Sequence, residues 1–185
     1  MTKTLRSVLK GLLLAGVFSL SMVRPASAVT TDAAVITVTP IADVSLTLNV
    51  TSYAFGPLAI SASSNSATAL TLTNNGQINI TVDKRITTES NPVGWTAGTV
   101  AGMNTYVLYV ATSTTRLSLP SFTAATKFGA QNNITNLTGP AGTQPVMPTS
   151  GAGSSVDLWF RLDMPTSLTS GVARTMTVRF TGTAQ

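Results

Sequence analysis

From Ser154 onward, apolar and polar positions alternate in two runs. In the first, Val156, Leu158, Phe160 and Leu162 fall on one side of an extended chain, with Asp157, Trp159, Arg161 and Asp163 on the other. Met164, Pro165 and a Ser/Thr/Gly bend from Thr166 to Gly171 follow. The second run then sets Met176, Val178 and Phe180 against Thr175, Thr177 and Arg179. A period of two is the mark of a half-buried strand, and two such runs across a short Pro/Gly link predict an antiparallel pair. A lone hairpin is marginal in water, so the rest of the chain must supply a sheet to cover its apolar face.

Earlier segments offer the material. Ala34 to Thr39 is strand-like and stops at Pro40; Asp43 to Val50 alternates with Val44, Leu46, Leu48 and Val50 on one face. Tyr53 and Phe55 lead into a Gly56-Pro57 turn, and Ser61 to Ser66 reads as a polar loop. The sharpest local signal is Leu70 to Thr73, then Asn74-Asn75-Gly76, then Gln77 to Asp83. It predicts a hairpin whose turn places Asn75 and Gly76 at positive φ. Trp95 sits in a Pro/Gly-punctuated stretch that suits a short edge strand. Met103 to Ala111 carries bulky residues in both phases, which predicts a strand partly covered on both faces. Between Thr112 and Ser155 the pattern weakens. Leu117 to Phe122 and Thr126 to Phe128 suit short strands, and a connection of this length is expected to hold one or two.

No stretch beyond the N-terminal segment shows an apolar stripe of helical period. Seven to nine short strands separated by turn residues predict an all-β fold, an antiparallel two-sheet sandwich of immunoglobulin-like or jelly-roll type. A closed barrel is the alternative.

The N-terminal segment is of another kind. Lys3, Arg6 and Lys10 precede an apolar run of 13 residues from Gly11 to Val23, and Ala26-Ser27-Ala28 supplies a small-x-small site. This is the layout of a secretory signal peptide, residues 1–28, cleaved after Ala28. The apolar run is short of the roughly 20 residues that span a bilayer. Cleavage leaves residues 29–185 as a single domain with no integral membrane segment, secreted or held at the cell surface. It also changes the charge. The whole chain carries +5, but four of its 11 Lys and Arg residues lie in the signal, leaving seven against six acidic groups, a net +1. Scattered basic residues at that balance give no electrostatic footprint for nucleic acid.

The chemistry available to the mature chain is sparse. Cysteine and histidine are absent from the sequence, and Glu89 is the one glutamate. This removes disulfides, thiolate metal sites, the usual general base and the Ser-His-Asp triad. Neither Lys84 nor Lys127 lies in a Ser-x-x-Lys pattern. Asp157 and Asp163 are six residues apart on one strand, about 20 Å by strand rise, too far for a glycosidase pair. No clustered oxygen ligands suggest calcium. The expectation is a non-catalytic protein without cofactor or metal.

The candidate contacts are aromatic. Trp159 lies on the outward phase of its strand, Trp95 in a loop-like stretch and Tyr109 on the second row of its strand; exposed rings of this kind stack on sugars or anchor a partner. The segment around Val35, Ile36 and Val38 is the candidate assembly strand, since a short strand set off by Pro40 can add to a neighbour's sheet edge.

Two sets of residues carry a family resemblance. Leu70 to Gly76, with the ending Pro165, Gly171 and Thr177-Val178, resembles the strand–Asn-Gly–strand and last hairpin of secreted bacterial immunoglobulin-like surface modules. Val35 to Pro40 and the alternating strand after it are similar to the start of fimbrial major subunits. The resemblance implies an extracellular structural role, with self-association by strand exchange. It leaves a carbohydrate- or protein-binding adhesion module as the alternative, with an extracellular polymer as partner.

Overall fold

The computed structural model describes residues 37–38, 43–89, 95–151 and 153–185. The segment predicted as a signal peptide lies outside them, as do Val35 and Ile36. In the unit Met1–Thr39, the two described residues, Thr37 and Val38, are exposed and belong to no regular element.

The unit Pro40–Gln185 holds nine described strands and two single 3₁₀ turns, so the all-β expectation holds. Sheet A runs in the order β1 (Leu46–Leu48), β3 (Leu70–Asn74), β8 (Ser155–Asp163), β6 (Thr105–Thr112), β5 (Thr96–Ala97). β2 (Ser63–Asn65) pairs with the same edge of β8 as β3, farther along it. Sheet B is β7 (Thr135–Asn136), β4 (Ile80–Glu89) and β9 (Met176–Ala184). Every pairing is antiparallel except β5 with β6.

The two sheets share one core. Leu70, Leu72, Leu108, Val110, Leu158, Phe160 and Leu162 come from sheet A, and Ile80, Val82 and Ile86 from sheet B. Half-buried Met176, Val178 and Phe180 pack against them, on the phase their alternation predicts. β6 is buried on both faces, as its two apolar rows require. Its second row, Val107, Tyr109 and Ala111, forms a smaller cluster with Phe122, against which Leu117 and Trp159 pack.

Both predicted hairpins are replaced by crossings between sheets. β8 and β9 do not pair. Each edge of β8 is already occupied, by β2 and β3 on one side and β6 on the other. The link after β8 is tied across the end of sheet A, where Met164 N donates to Ala62 O, Thr166 N to Gly102 O and Asn104 N to Ser167 O. It delivers β9 to the other layer, against β4 from Ile80 to Glu89.

β3 and β4 do not pair either, and neither Asn75 nor Gly76 has positive φ. The preceding Asn74 decides the turn. Its Oδ1 accepts the Gly76 amide at 2.9 Å, and its buried Nδ2 donates to Ile78 O at 2.9 Å and Met147 O at 3.0 Å. The chain beyond stays in the lane of β1, with Asn75 N on Ser45 O and Gln77 N on Asp43 O. Glycine is required at position 76 by close approach, because a Cβ there would run into the Asp43 carbonyl. Two local readings also change. The polar Ser61–Ser66 stretch contains β2. The stretches Leu117–Phe122 and Thr126–Phe128 hold 3₁₀ turns at Leu119–Ser121 and Ala124–Thr126 in place of strands. Pro120, within the first turn, lacks the N–H that a ladder would need. β7 supplies the short strand expected between Thr112 and Ser155.

Candidate functional site

Trp95 is the first correction among the predicted contacts. Its ring is 3% exposed and lies in the core, stacked on Tyr106 with centroids 4.7 Å apart and planes 24° apart. The short strand it leads into, β5, is a sheet edge as expected, but the indole itself turns inward. Offset stacking on another aromatic, together with the area a Trp ring removes from water, outweighs the loop-like composition around it.

Tyr109 is 7% exposed and not an open face. It lies on the outer side of sheet A beneath the 113–128 segment, edge-on to Phe122 at 6.2 Å. The Arg161 guanidinium stands over its ring at 4.9 Å, and its hydroxyl donates to Asp163 Oδ2 at 3.1 Å. Burial, and after it the Asp163 charge, push its phenol above the ordinary range. Arg161 in turn forks onto Asp163 at 2.7 and 3.0 Å and donates to Leu119 O at 2.7 Å. Trp159 is on the outward phase as predicted, yet half-buried, its Nε1 donating to Ser113 O at 2.9 Å. The three rings are brought to different places, and the 113–128 segment packs over the two on the outer face.

Val38 is the described member of the candidate assembly strand, and it is 79% exposed. The edges available in the two-sheet body are unequal. At one side the sheets are bridged: Phe128 N donates to Leu108 O, Thr112 N to Thr138 O, and Lys127 bridges to Tyr109. At the other side stand β1 and β9. β1 pairs only with β3, and β9 only with β4, among the described residues. The two strands meet at Gly182, where a Cβ would lie 3.1 Å from the side chains of Val44, Leu46 and Ile80. The outer edge of β9 is nine residues long and carries no proline; its one charge is Arg179.

Two buried titratable groups escaped sequence reasoning. Glu89, turned inward at the end of β4, is 8% exposed and accepts Tyr106 OH at 2.7 Å and Ala97 N at 2.8 Å. The Tyr106 phenol is pushed far upward, first by burial and then by its bond to Glu89. Lys84 is fully buried, its Nζ donating to Asn136 O at 2.8 Å and Ala125 O at 3.4 Å, with the Phe128 ring at 5.8 Å. Desolvation lowers its amine to about 8. The alternation of Ile80, Val82, Lys84 and Ile86 places Lys84 with the apolar residues, and that was the available signal. Glu89 is on the other phase of that count and comes inward because the ladder slips by one residue between Ile86 and Thr88. They form separate hydrogen-bonded sets, one on Ala97 and Tyr106, the other on Asn136 and Ala125. Among the described residues, no helix is long and apolar enough to cross a membrane. No protein-family model matches the chain, and comparisons with curated proteins and with solved structures found no match.

Proposed function

We propose that this chain is an exported, non-catalytic structural or cell-surface protein, a two-sheet sandwich of immunoglobulin-like or jelly-roll type. Copies associate when the N-terminal strand around Val35, Ile36 and Val38 of one adds to the open edge of β9 in the next. The observation that carries this reading is that edge. Among the described residues β9 has no partner on its outer side, and a nine-residue edge of that kind is a template for another strand. Natural sheets blunt long edges with proline, lysine or bulges; β9 carries no proline or lysine, and the one irregularity in its ladder, between Ile86 and Thr88, lies on β4. The adjoining half-buried Met176, Val178 and Phe180 give an added strand apolar side chains to cover.

The test compares the mature protein from Val29 with a version starting at Asp43, by analytical ultracentrifugation and negative-stain microscopy. Filaments or large oligomers from the first, lost in the second, are the expected result. A concentration-independent monomer from the full mature chain would overturn the assembly reading.

A further inference from the structure

We propose that the outer face of sheet B, around Arg85 and Arg179, binds a uronate unit of an acidic polysaccharide. The two arginines stand directly opposite each other in the β4–β9 register, both on the phase pointing away from the core. Like charges in that position oppose pairing, so an unrelieved pair works against the ladder it sits on. Among the described residues no ion pair relieves it. Neither guanidinium is in an ion pair, and Arg85 Nε is buried without a hydrogen-bond partner. The arginine on the other sheet differs: Arg161 is forked onto Asp163.

The pair opens onto a depression of about 180 Å³ lined by Asp83, Lys84, Arg85, Ile134, Arg179 and Thr181; the Lys84 amine itself is turned into the core, onto Asn136 O. This is below the roughly 300–1,000 Å³ of sites for drug-sized ligands, so it suits a single small ring. The lining sorts the chemistry further. Two guanidinia present forked donors that match a carboxylate. Asp83, which has no ion-pair partner among the described residues, is acceptor-only when ionised and would repel a bare oxyanion. It suits a ligand whose hydroxyls donate to it. Thr181 can serve either way, and Ile134, 60% exposed, offers an apolar wall to a ring's C–H face. A carboxylate and several hydroxyls on one ring describe a sugar acid. Along the strands the face continues with Thr81 opposite Thr183, hydroxyl-bearing positions that a second unit of a chain could reach. This site is independent of strand addition at the β9 edge.

The experiment titrates the mature protein with an oligogalacturonate, a neutral galacto-oligosaccharide of equal length and sodium sulfate, followed by amide chemical shifts. The expected result is uronate binding at least about tenfold tighter than neutral sugar or sulfate, weakened by salt as charge-assisted bonds are. Arg179→Gln, at an exposed position, should lower uronate affinity about tenfold while leaving the remaining amide spectrum unchanged. Asp83→Asn separates recognition from bulk charge: weaker uronate binding supports the site. Tighter binding in Asp83→Asn would overturn it, as would equal affinity for the neutral sugar, sulfate binding as tight, or no shift at millimolar ligand.

Discussion

Tyr106 donates its hydroxyl to Glu89 at 2.7 Å while its ring stacks on Trp95, so one phenol closes both a polar and an aromatic contact in the core. Without that hydroxyl the buried carboxylate keeps only the Ala97 amide. Tyr106→Phe is therefore expected to cost about 2–3 kcal/mol, the range for stranding a charged group that had a hydrogen bond. Urea unfolding followed by tryptophan fluorescence measures it. The stacking partner is retained in the variant, so a loss under about 0.5 kcal/mol would show that water replaces the hydroxyl.

Lys84 sets a pH dependence of definite sign. Its amine is lowered to about 8 in the fold, against about 10.4 in an unfolded chain. Between those values the unfolded chain holds a proton that the folded protein has released, so stability rises with pH by up to about 3 kcal/mol. Below pH 8 both states are protonated and this group contributes no slope. Tyr106 acts in the opposite sense above about pH 10, where an unfolded phenol ionises and the buried one does not. Stability should climb from pH 8 toward 10 and then fall. Lys84→Met should flatten the climb and leave the fall, as thermal melts across pH 7–11 would show.

Asn74 and Asn75 are neighbours with opposite expected weight. Asn74→Ala removes the Nδ2 bonds to Ile78 O and Met147 O and the acceptor for Gly76 N, all buried or partly so, and should cost about 2–4 kcal/mol. Asn75→Ala loses an exposed bond to Thr47 Oγ1 and should stay within about 0.5 kcal/mol. Equal effects in chemical denaturation would contradict the turn geometry.

Ser66 replaces a stretch of backbone. Fully buried where β2 and β3 meet along β8, it donates N–H to Phe160 O at 2.7 Å and accepts Phe160 N on its Oγ at 3.0 Å. Ser66→Ala leaves the Phe160 amide without an acceptor, at a cost of about 1–3 kcal/mol. Hydrogen exchange at Phe160 should quicken more than at Leu158 or Leu162, its neighbours on the same face.

The contrast between those sites shows what the sequence could and could not reveal. Which face each strand turns inward was readable throughout β6, β8 and β9, because the side-chain period of two registers burial directly. Which strand lies beside which was not. Alternation in Val156–Leu162 and Met176–Phe180 is the same whether the two runs pair edge to edge or face each other across a core. The Asn75-Gly76 signal misled because the side chain of Asn74, one residue earlier, takes the turn in another direction. Ile80 to Ile86 was readable in phase but not in chemistry, since a lysine on the inward row has no legible role until its hydrogen-bond partners are seen; Glu89 was not readable even in phase, because the ladder slips by one residue before it. Those partners, Asn136 O, Ala125 O, Tyr106 OH and Ala97 N, come from strands and loops that no local pattern ties to β4. The Arg85–Arg179 pair is of the same kind, visible only once register puts position 85 opposite 179.

β4 waits for both of its neighbours. Residues 80–89 find their partners at 135–136 and at 176–184, so sheet B closes only when segments about ninety residues apart have met. Its assembly rate is governed by that long-range search, which for all-β topologies takes milliseconds to seconds. Until β9 docks, one whole edge of a ten-residue strand stands open, and a chain held short of that step keeps a threadable, loosely structured half. For a chain that is exported, as we propose, slow closure of this sheet leaves time for threading before the fold is complete.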